Sequence, residues 1–185
     1  MSAPPSFTAG SRFLHWAMAV MVVAMLYIGV GMAATVSSRY AVLVSLHETV
    51  GIAILALVVI RLINRLFNPP PALPSDLPAW QQLAAHGSHY LLYGLMLLMP
   101  LIGWAMQSAA PYPVLIFGSL RLPPILPQSA ALHGWLRQAH TWLAYVLFAT
   151  VLVHLGAALF HGLIRRDGVL RSMASRRSEE VDNGR

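Results

Sequence analysis

Residues 13–34 read FLHWAMAVMVVAMLYIGVGMAA, 22 residues without one formal charge. A helix needs about 20 apolar residues to cross the hydrocarbon core of a bilayer, so this stretch can span one. The rest of the chain fits the same solvent. Hydrophobic residues make up 57%, charged residues only 10%, and the mean hydropathy is +0.64, which no ordinary water-soluble domain of 185 residues would show. Three further apolar runs occupy 41–66, 83–107 and 133–164. They are separated by the turn TVSSRY (35–40), by NPPPALPSDLP (68–78), and by 111–128, where Pro123, Pro124 and Pro127 remove the N–H donors a continuing helix needs. The expectation is an all-α fold: a four-helix transmembrane bundle. Residues 1–170 would form one membrane domain, and 171–185 a flexible basic and polar cytoplasmic tail. The first run also exceeds the roughly 7–15 apolar residues of a secretory signal, so it is expected to stay as a span.

All twelve basic residues are arginine. If four spans alternate, Arg12, Arg61, Arg65, Arg165, Arg166, Arg171, Arg176, Arg177 and Arg185 fall on one side, against Arg39, Arg121 and Arg137 on the other. Basic residues concentrate on cytoplasmic loops, so both termini are expected in the cytoplasm. The net charge of +6 then reflects topology and contact with anionic lipid headgroups, with no nucleic acid as partner. With no cysteine, the chain has no disulfide, no thiolate metal site and no covalent c-type haem attachment.

The histidines carry the chemistry. An unpartnered polar group buried in an apolar medium costs about 2–7 kcal/mol, so each intramembrane imidazole needs an explanation. His140 and His154 are 14 residues apart. At 100° and 1.5 Å per residue they share one helix face within about 40° and are separated by roughly 21 Å in depth. A metal ligand sits about 2 Å from its ion, so the two cannot serve one metal, and two sites are implied. Counting from the outer ends of the first two spans, His15 lies about 28 Å down and His47 about 9 Å down. Depth therefore pairs His15 with His154 at the inner level and His47 with His140 at the outer level. Two neutral imidazoles facing each other suit the axial positions of haem iron. Zinc would want further ligands, and Glu48 is the one acid within the spans.

Other residues fall into place around these four. Gly51, one helical turn after His47, would let a flat macrocycle approach the backbone, and Gly94 and Gly103 could do the same. His86 and His89 share a face at the inner start of the third span, where they would meet a haem propionate, a quinone carbonyl or the interface. His133 and His161 continue the fourth-span stripe near its ends and suit interfacial roles. Trp80, Trp104 and Trp135 suit the aromatic belts, while Met18, Met21, Met25, Met96 and Met99 follow packing periodicity. Tyr145 and Phe148 are expected to fill the gap between the two levels.

Taken in order, FLHW (13–16), LHETVGI (46–52) with VVIRLINRL (58–66), HGSHYLLYGLMLLMPLIG (86–103) and RQAHTWLAYVLFATVLVH (137–154) resemble the bacterial cytochrome b-561 family. The resemblance covers nearly the whole chain. It implies an inner-membrane cytochrome with two b-type haems, whose axial ligands match His15, His47, His140 and His154. It further implies electron transfer from superoxide on the periplasmic side to ubiquinone, as in superoxide oxidases. Arg39 and Arg137, with Arg121, would supply a positive funnel for the anion. Quinone contacts would fall to His86, His89 and Trp80, with Arg61 or Arg65 where relatives can place a lysine. Other family members are membrane anchors and electron carriers for dehydrogenases or hydrogenases, which is the alternative function. A haem-free transporter or sensor is a third, although it would want more intramembrane acids than Glu48.

Overall fold

The computed structural model describes residues 7–74 and 76–174. Four helices are long and apolar enough to cross a membrane: α1 (Ala9–Ala34), α2 (Arg39–Phe67), α3 (Ala79–Ala109) and α4 (Ala130–Leu159), the last continued by a π-helical turn, Phe160–Arg165. Each begins two to four residues before its apolar run. An apolar run marks hydrocarbon depth, whereas helical hydrogen bonding continues until something caps it. Thr8 caps α1 by accepting from the Ser11 N–H, and Ser129 caps α4 by accepting from the Leu132 N–H. Pro78 immediately precedes α3, where a missing N–H costs nothing. Pro100 lies inside α3 and removes one of its hydrogen bonds.

Beyond the spans the chain carries local structure of its own. Residues 111–128 carry a two-stranded antiparallel hairpin, β1 (Leu115–Ile116) and β2 (Leu120–Arg121), with Leu115 opposite Arg121. Its tight turn uses positive φ at Phe117 (50°) and Gly118 (70°). At the other end, a left-handed Arg166 (φ 54°) and Gly168 (φ 83°) turn the chain into a short helix α5 (Val169–Ala174), which crosses the expected boundary at residue 170. The rest of the expected tail, 175–185, lies outside the described residues.

Successive helices pack as α1 on α2, α2 on α3 and α3 on α4; of the other spans, α4 packs closely on α3 alone. Few side chains inside the spans are buried. They are Met18 and Val22 on α1, Ile54 and Val58 on α2, Leu95 on α3 and Leu147 on α4, with Ser108 and Ala109 at the outer end of α3. Their levels are informative. Leu147 stands seven residues from both His140 and His154, and Ile54 stands seven residues from both His47 and Arg61. The packed layer thus lies between the two histidine levels. Tyr145 (63% exposed) and Phe148 (48%) are not in it. At 100° per residue they point about 140° and 80° away from the His140 face, whereas Leu147 returns to within about 20° of it.

Candidate functional site

Both proposed pairs of histidines come together across the gap that α4 leaves. His47 on α2 and His140 on α4 have ring centroids 6.0 Å apart, with planes inclined at 66°. His15 on α1 and His154 on α4 are 6.3 Å apart at 67°. An imidazole nitrogen binds a metal at about 2 Å, and the ring centre lies about 1 Å beyond it, so one shared ion would hold two centroids roughly 6 Å apart. Among the described residues, the Nδ1 atoms of both His47 and His140 are buried with no partner at hydrogen-bond geometry, a costly state for polar atoms. Glycine opens the space beside them: a Cβ on Gly103 would meet His140 Cε1 at 3.4 Å. A Cβ on Gly94 would meet nothing within 4 Å, so the α3 face there borders open space. Gly51 instead faces α1, where a Cβ would touch Met25 Cε at an ordinary 3.6 Å. On distance, orphaned nitrogens and open space, a bis-histidine haem fits.

The inner level holds more than the sequence indicated. His89 packs its ring 5.4 Å from that of His154, so three histidines meet there. His86 bonds the Gln82 carbonyl of its own helix at 2.8 Å, and Trp80 is exposed at the start of α3. Arg61 reaches into the same cluster. Its Nη2 is 3.1 Å from His15 Nδ1, its Nε donates to the Tyr93 hydroxyl at 2.9 Å, and its Nη1 is buried with no partner among the described residues. The signal for Arg61 was present in the spacing. It follows His47 by 14 residues, the interval that separates His140 from His154, and so takes on α2 the inner position on the His47 face.

At the outer level Glu48 is a structural acid. Its carboxylate accepts from Gln107 Nε2 (2.9 Å) and from the Leu115 N–H (3.2 Å), while Thr49 Oγ1 accepts from the Phe117 N–H (3.0 Å). The hairpin is thereby tied to the turn of α2 that carries His47. Trp104 donates from Nε1 to the Pro123 carbonyl, pinning the same loop, and His133 Nδ1 donates to the Met106 carbonyl. A cavity of about 240 Å³ among the outer loop residues is lined in part by Trp104, Gln107, Tyr112 and Arg121. Arg39 and Arg137 are exposed. At the opposite end His161 bonds Asp167, and Arg165 bridges Asp167 to Asp76 of the α2–α3 loop. Burial alone would raise the Asp167 carboxyl, but the bonds from His161 and the Val169 N–H and the charges of His161 and Arg165 outweigh it and hold the group below its ordinary value.

A family model described as prokaryotic cytochrome b561 matches residues 6–176. This chain belongs to that family. Membership implies b-type haem and electron transfer, in agreement with the fit of the histidine pairs. Among its relatives, cytochrome b561 homolog 2 of Escherichia coli K12 is 30% identical over 183 residues, covering 97% of this chain and 96% of that one. Cytochrome b561 homolog 1 of the same organism is 29% identical, covering 92% and 98%. A protein named probable superoxide oxidase CybB, from Yersinia pestis, is 32% identical over 129 residues, covering 69% and 72%. The cytochrome b561 relationship and the four apolar helices together make this a multi-pass bacterial membrane protein.

Proposed function

We propose that this cytochrome holds two b-type haems in the bacterial inner membrane, oxidises superoxide at the periplasmic face and reduces ubiquinone at the cytoplasmic side. The observation that carries the proposal is the pair of facing histidines at each of two levels, with an apolar layer between them. His47 and His140 would hold the outer haem and His15 and His154 the inner one, with Gly103 leaving room beside His140. Bound haem supplies one-electron chemistry at each level. Met18, Val22, Ile54, Val58 and Leu147 keep water out of the layer between. Arg39, Arg121 and Arg137 raise the local concentration of an anionic donor, while His86, His89 and Trp80 border the inner end where quinone would bind. Two superoxide anions give two dioxygen molecules, and their two electrons with two protons convert ubiquinone to ubiquinol. The relative named probable superoxide oxidase supports this donor over others.

The test is a haem-to-protein ratio and a quinone-reduction assay on protein purified in detergent. Two haems per chain are expected, falling to one in each of His15→Ala and His140→Ala. Superoxide should reduce ubiquinone with no other protein present. A two-haem protein inert toward superoxide would make the chain an electron carrier for a partner dehydrogenase or hydrogenase. A colourless protein from haem-replete cells would end the proposal altogether.

A further inference from the structure

Arg61 lies at the inner level, where no carboxylate among the described residues meets it. Among the described residues, Asp76 and Asp167 are both engaged by Arg165, and Glu48 is at the outer end tied to Gln107 and Leu115. Arg65 stands beside it, the two guanidinium carbons lying 5.8 Å (Arg61) and 5.5 Å (Arg65) from the centre of the Tyr93 ring. Two cations share one aromatic ring, and the buried Nη1 of Arg61 has no acceptor among the described residues. An uncompensated, partly buried charge is expensive and is found where a ligand completes it.

Its contact with His15 does not complete it. A guanidinium only donates, and a neutral imidazole that gives one nitrogen to a metal carries its proton on the other. If Nδ1 is the free nitrogen it holds the proton and cannot accept; if it is the ligating nitrogen, the guanidinium stands in the metal's place. Either way Arg61 must leave His15 when the inner site fills. The Tyr93 hydroxyl still holds Nε, so the Nη1 and Nη2 groups then both want an acceptor, and a carboxylate matches them both.

We propose that Arg61, with Arg65 beside it, forms an anion site whose guanidinium takes a carboxylate of the group held between His15 and His154. For a b-type haem that carboxylate is a propionate. The proposal rests on the two-haem function above, and the experiment separates them. In full-length His47→Ala protein, which retains the inner site alone, affinity is measured by absorbance titration with iron protoporphyrin IX and with its dimethyl ester, whose carboxylates are masked. The free acid should bind about tenfold or more tightly than the ester, as charge-assisted hydrogen bonds lost to the ester would dictate. Arg61→Gln should abolish the preference by weakening the acid while leaving the ester unchanged, which also shows the variant is folded. Arg61→Lys, keeping charge without the fork, should retain part of it. Equal affinities in the Arg61 protein, or equal weakening of acid and ester in Arg61→Gln, overturn the site. So does a loss of co-purifying phosphatidylglycerol in Arg61→Gln with no acid preference, because the anion would then be a lipid phosphate. A His47→Ala protein that binds neither compound overturns the two-haem proposal and this one with it.

Discussion

Glu48 follows a candidate ligand directly, yet the bonds it makes are those of a fastener. Both its oxygens are used, one on Gln107 of α3 and one on the Leu115 N–H of β1. Removing it in Glu48→Ala should cost about 1–3 kcal/mol and leave the Leu115 N–H without its acceptor. Amide exchange at Leu115 is expected to rise by about tenfold or more, with the inner-level histidines unaffected. Glu48→Gln, which keeps one good acceptor, should give a smaller rise. At this scale the sequence was readable wherever one helix carried the whole pattern. The 14-residue interval between His140 and His154 needs only helical geometry. The partners of Glu48 and the approach of His89 to His154 join different elements, and no periodicity along one chain segment encodes them.

Elements were legible by their apolar interiors and less so by their ends. Each span was visible as a long apolar run with few or no charges, whereas caps such as Thr8 and Ser129 sit in polar sequence that looks like loop. The end of α4 is the clearest case. Phe160–Arg165 widens into a π-helical turn, and the left-handed Arg166 then redirects the chain, neither of which has an apolar signature. What fixes the result is polar and long-range. Trp16 Nε1 donates to the Met173 carbonyl, Asp167 accepts from the Val169 N–H, and Arg165 holds Asp167 and Asp76 together. Because the Asp167 carboxyl is held below its ordinary value of 3.8, its contribution is complete above that value and is lost as pH falls through the lower folded value. Amide protection across Val169–Ala174 should therefore persist as pH is lowered from 7 to about 4 and collapse below it. Asp167→Asn should lose much of that protection at neutral pH and show no such acid transition. Protection that declines between pH 7 and 5 in the native chain would point to another group as the fastener.

The molecule as a whole is polarised in charge. Orientation was read from arginine placement alone, and it follows as a proposal that both termini face the cytoplasm; a C-terminal alkaline phosphatase fusion should be inactive and a fluorescent protein fusion bright. The same polarity bears on the donor. Arg39, Arg121 and Arg137 are exposed, and among the described residues none of them is in an ion pair, so their field at the outer face is not cancelled locally. Attraction of a small anion through such a field acts on the association rate and is screened by salt, with a Debye length of about 10 Å at 0.1 M and about 3 Å at 1 M. The second-order rate of reduction by superoxide should therefore fall with ionic strength. Arg121→Glu combined with Arg137→Glu should lower it several-fold at low salt and converge on the unaltered protein at 1 M, with the haem content of both unchanged. An uncharged reductant serves as the control, since its rate should be indifferent both to salt and to these substitutions. Stopped-flow traces showing the same loss for the neutral reductant would mean that the substitutions damaged the outer loops, and the arginines would then be part of the fold and not of the funnel.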